Sequence, residues 1–335
     1  MELESVYPEA LVFGCSTAGE VYDTQVLDKS IVATALYFEH TEIKSARIII
    51  DDMENGFQAG KKLAASLDKQ GLRHVMVLSE GLRINGSDLV RGLSKNLPGD
   101  VTVTGGLSGD GDRFQETIVV WNGKAFNNAI ACIGFYGNRL KVGFGSLGGW
   151  DTFGPYRLIT RSEGNILYEL DGRSALDLYK NYLGEHSGGL PATGLLFPLN
   201  LRINENERPL VRTILSINEN DQSMTFAGDM PEGAYAQLMK ANFDRLIDGA
   251  VGAAKICRKS VGSGTPDLAI LISCVGRKMV LKQRVEEEVE GVRDVLGTKT
   301  IIAGFYSYGE ISPFGPGDKC ELHNQTMTVT AFLEE

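Results

Sequence analysis

The chain lacks most of the features that would tie it to a membrane, a metal cluster or a nucleic acid. No apolar run reaches the roughly 18 to 20 residues that a helix needs to cross a bilayer. The opening MELESVYPEA carries acids where a secretory leader carries Lys or Arg, so a cytoplasmic location without membrane insertion is expected. Cysteine is scarce: Cys15, Cys132, Cys257, Cys274 and Cys320 are odd in number, far apart and never arranged as C-x-x-C. That pattern gives no support to a zinc ribbon, a thioredoxin-like centre or a c-type haem linkage, and reduced thiols are expected. Asp and Glu outnumber Lys and Arg by 43 to 33, a net charge of −10 with no basic cluster, so nucleic acid is not expected as a partner. Phosphate-binding loops are missing too. No G-x-x-x-x-G-K-[ST] occurs, and the glycine-rich GGLSGDGD at 105–112 lacks the dinucleotide spacing and the helix that should follow it.

What is present is a seven-residue pattern that occurs twice, near the two ends. Gly14 to Glu20 reads GCSTAGE and Gly304 to Glu310 reads GFYSYGE. Both fit G-x-x-[ST]-x-G-E, and each follows a short apolar run, Leu11-Val12-Phe13 and Ile301-Ile302-Ala303. A glycine just past a strand lets the backbone turn where a Cβ would clash, and the hydroxyl and carboxylate then sit at a strand mouth, where ligands are met. A second echo supports a duplication. Val75 to Leu78 leads into S-x-x-x-R ending at Arg83, and Ala269 to Ile272 leads into S-x-x-x-R ending at Arg277.

A length of 335 residues suggests two domains. Strands are expected at Ile31 to Phe38 (buried), Ala46 to Ile50, Val75 to Leu78, Val101 to Thr104, Gln115 to Trp121, Ala129 to Tyr136 and Leu140 to Ser146, with helices over Met53 to Lys69 and Asp88 to Leu97. The glycine-rich segment from Gly143 to Gly154 reads as a joint, and Asp171-Gly172 as a turn before a helix, Ala175 to Leu183, capped by Ser174. In the second half, strands are expected at Leu210 to Ile217, Leu268 to Cys274, Thr300 to Ala303 and His323 to Leu333, with helices over Asn242 to Cys257 and Gly276 to Leu296. The acidic run Glu286-Glu287-Glu288 reads as a solvated face. These elements define a mixed α/β (α+β) fold of two pseudo-duplicated domains, 1–172 and 173–335, with mixed, largely antiparallel sheets covered by helices.

Several stretches resemble the FIST family. They are GCSTAGE at the start, LLFPLN, DMPEGA and SCVGR in the middle, and GFYSYGEISPFGPGDKCELHNQTMTVTAF at the end. The resemblance covers nearly the whole chain as a FIST N module followed by a FIST C module. It implies a sensory module that binds a small ligand without turning it over, and partners such as a separate histidine kinase or a cyclic-di-GMP enzyme. A chain of this length further resembles the stand-alone, nitric-oxide-sensing NosP type, which implies haem; the wider family implies a small ligand such as an amino acid.

Among the four histidines, His40 and His74 read as surface and strand-edge residues and His186 as a solvated loop residue. His323 shares strand parity with Met327, Val329, Ala331 and Leu333, which turns it to the apolar side. A buried imidazole needs a partner, and three are open: a backbone carbonyl or Glu310, a haem iron, or a small ligand. A haem-free receptor for an amino acid or other small carboxylate would use Arg212 and Arg277 as two-pronged grips, with Tyr306, Ser307, Glu310 and Asn324 lining the same mouth. The alternative for the arginines is a structural pair with Glu20 or Glu310. Cys15 and Cys274 lie just past strands, where nucleophiles sit, but no histidine lies in either turn, and the chain is not expected to be an enzyme.

Overall fold

The computed structural model describes residues 5–50, 55–205 and 208–335. Two six-stranded mixed sheets face one another across a shared core, and an eight-stranded antiparallel sheet built from residues 151–240 stands beside them. In the first six-stranded sheet the order is Glu42–Ile49, Ala129–Tyr136, Leu72–Ser79, Thr102–Leu107, Gly309–Pro313, Cys320–His323. In the second it is Leu140–Leu147, Met327–Glu334, Leu268–Cys274, Ile301–Ser307, Glu20–Tyr22, Gln25–Leu27.

These orders correspond position by position. Each sheet holds one parallel pair, Leu72–Ser79 with Thr102–Leu107 and Leu268–Cys274 with Ile301–Ser307, and all other pairings are antiparallel. Gly105 lies opposite Val77 and Gly304 opposite Leu271. A Cβ at Gly105 would stand 1.8 Å from Val77 O, and one at Gly304 1.9 Å from Leu271 O. The two glycines therefore occupy one position of a repeated unit, and the close backbone approach demands glycine at both. The edge hairpin of each sheet comes from the opposite end of the chain. Glu20–Leu27 completes the sheet of the second half, and Gly309–His323 completes that of the first.

Helices cover the outer faces. Asn55, Asn85, Ser174 and Asn242 cap Gly56–Ala65, Gly86–Asn96, Ala175–Leu183 and Phe243–Val261 by accepting from backbone amides of the first turn. The helix expected from Met53 begins at Gly56; Met53 and Glu54 lie outside the described residues. Phe243–Val261 lays Leu246, Ala250, Ala253 and Cys257 into the core. The strand beneath it must be bare for the helix to come this near. A Cβ at Gly143 would stand 2.6 Å from Cys257 O, and one at Gly145 2.3 Å from Ala253 O. The first part of the 143–154 stretch is thus a packing seam within a strand instead of a joint.

Three further expectations are corrected. The segment 31–38 forms no strand; Ile31 is 94% exposed and Tyr37 is exposed as well. His74 is a central residue and not an edge one. It is buried in Leu72–Ser79, its ring nitrogens 2.8 Å and 3.0 Å from the hydroxyls of Thr102 and Thr104, and desolvation lowers its pKa to about 3. The expected strand from His323 to Leu333 is two strands in two different sheets, separated at Gln325 (φ 61°). His323 therefore owes its orientation to Cys320–His323 and shares no face with Met327.

Candidate functional site

The two G-x-x-[ST]-x-G-E corners are structural twins. Glu20 lies opposite Phe305 and Glu310 opposite Gly106, which are corresponding positions one residue past Gly304 and Gly105. Ala18 N donates to Tyr306 O at 2.8 Å, and Tyr308 N to Leu107 O at 3.2 Å. The hydroxyl–carboxylate contact repeats: Thr17 donates to Glu20 at 2.6 Å and Ser307 donates to Glu310 at 2.9 Å. Residue 18 thus answers to residue 308, and there the twins part.

At the second corner Tyr308 plugs the mouth. Its ring stacks on Phe114 at 4.3 Å, and its hydroxyl meets the Asp110 carboxylate and the amide of Phe114. Burial alone would raise the Asp110 carboxyl. The hydrogen bonds from Tyr308 and from the amides of Glu116, Gln115 and Phe114 outweigh it and hold the group below the usual carboxylate range.

At the first corner the same position is Ala18, and a cavity of about 1020 Å³ opens. Its walls are the corner 15–20, the segment 28–32, the loop 110–113 and the face of Val275–Leu281 bearing Val275, Lys278 and Met279. The corner is held in place by its own backbone: Ser16 N donates to Ile118 O at 2.8 Å, Ser16 Oγ accepts from Ile118 N at 2.8 Å, and Gly109 N donates to Ser16 O at 3.0 Å. Glu20 also accepts from Ser30 at 2.9 Å, and Lys278 Nζ donates to Ala18 O at 2.9 Å and to Asp28. Desolvation pushes the Cys15 thiol up to about 12, with Cys274 raised further, which disfavours the thiolate at both positions.

None of the residues expected to contact ligand lines this cavity. Arg277 is fully buried and meets Glu288 at 3.0 Å through Nε and 2.7 Å through Nη2, with Nη2 also 2.7 Å from Leu246 O. Tyr306 donates its hydroxyl to Glu288 at 2.8 Å, Ser273 does so at 3.1 Å, and burial raises the phenol well above its usual pKa. The partner of Arg277 is therefore Glu288, neither Glu20 nor Glu310. Glu288 corrects the reading of the acidic run as a solvated face. Helical spacing places it with Val285, Val289 and Val292, a signal present in the sequence. Arg83, the supposed twin of Arg277, is exposed.

Ser307 and Glu310 are brought together, with Thr326 donating to Glu310 through N at 3.2 Å and Oγ1 at 2.9 Å. Burial raises the Glu310 carboxyl to about 8 despite these bonds. Arg212 is buried with its guanidinium on the carbonyls of Asp229 and Leu322, each at 3.1 Å, and desolvation lowers its pKa to about 10. Asn324 is buried, and its side-chain amide meets no hydrogen-bond partner among the described residues. His323 places Nε2 2.7 Å from Ser312 O and its ring edge-on to Phe314 at 4.5 Å. One imidazole nitrogen of His323 is thus taken by a carbonyl, and His323 does not line the cavity. No histidine lines the cavity.

Comparison with known proteins agrees with the paired architecture. The FIST N domain matches residues 1–173 and the FIST C domain residues 175–313. The chain belongs to the FIST family, whose domains are associated with sensing small ligands in signalling. The uncharacterized protein MJ1623 of Methanocaldococcus jannaschii is 25% identical over 225 residues, covering 63% of this chain and 41% of that relative. The chain thus spans under half the length of this curated relative. A crystal structure of cyanuric acid hydrolase from A. caulinodans aligns over 88% of this chain and 99% of its own at 10% identity, with a TM-score of 0.20. Among the described residues no helix is long and apolar enough to cross a membrane.

Proposed function

We propose that this protein is a haem-free receptor that senses a small polar organic ligand in the cavity of the first corner and passes the signal to a partner, a histidine kinase or a cyclic-di-GMP enzyme. One observation carries this reading. The two corners share backbone, register and hydroxyl–carboxylate pair, yet one is filled by Tyr308 and the other, with Ala18, opens into about 1020 Å³. The lining sets Ala18, Val275 and Met279 beside charged groups, Glu20, Asp28, Arg113 and Lys278 among them, a mixture that suits a small polar metabolite.

The test is a thermal-shift screen of amino acids and organic acids on the full chain and on Ala18→Tyr, which puts the plug of the second corner into the first. A ligand that stabilises the parent and is lost in Ala18→Tyr is the expected result. A ligand equally tight in both moves the site elsewhere. An absorption spectrum taken after haem supply accompanies the screen, and a Soret band would overturn the haem-free reading.

A further inference from the structure

Lys278 distinguishes the open corner by charge. Its ammonium touches Ala18 O and the Asp28 carboxylate, and its side chain is 17% exposed whereas that of Asp28 is 69% exposed. The two partners are unequal. An ammonium at the base of a cavity needs a counter-charge, because desolvating it unpaired is costly. A carboxylate that stands mostly in water gains little from the pair and loses little by leaving it. The backbone is shaped around the ammonium as well: Gly19 has φ +134°, and a Cβ there would stand 2.4 Å from Lys278 Nζ. Two of the cavity's other acids are already supplied with donors. Glu20 holds the hydroxyls of Thr17 and Ser30, and Asp110 holds Tyr308 and the amides of Phe114, Gln115 and Glu116. Asp28 is thus the acid most readily exchanged.

Within the receptor reading above, we propose that the open corner takes a small carboxylic acid with a ring-sized apolar body. The ligand's carboxylate replaces Asp28 on Lys278. Its body lies beside Ala18, Val275 and Met279, in the place that the Tyr308 ring takes in the twin corner.

The test is calorimetric titration of the full chain with benzoate, phenylacetate and 4-hydroxyphenylacetate, each against its neutral primary amide. The acids are expected to bind about tenfold or more tightly than the amides, the worth of one hydrogen bond between charged groups. Lys278→Met is expected to weaken the acids by a similar factor. Asp28→Asn is expected to tighten them roughly threefold or more by removing the competitor, a gain that shrinks as salt is added. The opposite signs of the two variants separate a ligand subsite from a structural ion pair, and Asp28→Asn decides the matter should Lys278→Met not fold. Failure of all three acids to bind Asp28→Asn at about millimolar concentration overturns the proposal. So does a ligand that Ala18→Tyr blocks but that binds equally as acid and amide; that outcome leaves the cavity as the receptor site and removes only the anion subsite.

Discussion

One backbone corner, built twice, ends in two different states. At Ser307–Glu310 the hydroxyl, the carboxylate and Thr326 close on one another under full burial, and Tyr308 seals the mouth. At Thr17–Glu20 the same hydroxyl–carboxylate contact stands at the wall of a cavity, with Ser30 as its further donor. The motif alone therefore does not make a site. At one interior position the copies differ, tyrosine in the filled corner and alanine in the open one. Duplication supplies one folded frame twice, filled by Tyr308 in one copy and opening into a cavity in the other.

Three experiments press on this contrast. The largest effect is expected from Tyr308→Ala, which unplugs the closed corner. Losing a large, mostly buried aromatic residue should cost about 3–5 kcal/mol, measured by urea denaturation, whereas a change under 1 kcal/mol would show that the ring is no plug. Next comes Glu310→Gln. The folded-state pKa of Glu310 is raised to about 8 from an ordinary 4.5, so the folded protein binds a proton that the unfolded chain has released. Its contribution to stability is fully present below pH 4.5 and fades as pH rises through about 8. The parent should thus lose stability between pH 5 and pH 8.5 relative to Glu310→Gln, and a constant gap between the two would refute the buried-acid account. The smallest effect is the twin hydroxyl test. Ser307→Ala leaves the buried Glu310 carboxyl group short of a donor and should cost about 1–3 kcal/mol. Thr17→Ala, at the cavity wall, should cost less, about 1 kcal/mol or under. Equal losses would erase the distinction between the corners.

Much of the frame was legible from residues. The paired motifs, the cap at Ser174, the turn at Asp171-Gly172 and the strands Ala129–Tyr136 and Leu268–Cys274 all follow from local pattern. The exchange of edge hairpins did not, because strand periodicity says which face a residue takes and not which sheet receives the strand. The same gap misled the reading of His323, whose parity with Met327 is broken by the turn at Gln325. Glu288 was hidden by its neighbours Glu286 and Glu287, although its spacing on the apolar stripe set it apart. For the site, GCSTAGE was legible as a corner at a strand mouth, but the difference between Ala18 and Tyr308 acquires meaning only once the two corners are superposed by register. Ile31 to Phe38 misled in another way: apolar composition without alternation gave a strand that no partner edge receives.

The crossed hairpins carry a consequence for how the molecule holds together. Cut near residue 172, neither fragment could finish its own sheet, since each would present the bare border of a parallel pair. The two ends of the polypeptide act as reciprocal clasps. The stretch around Glu20 is thereby paired directly with the strand that holds Tyr306, with no element between them.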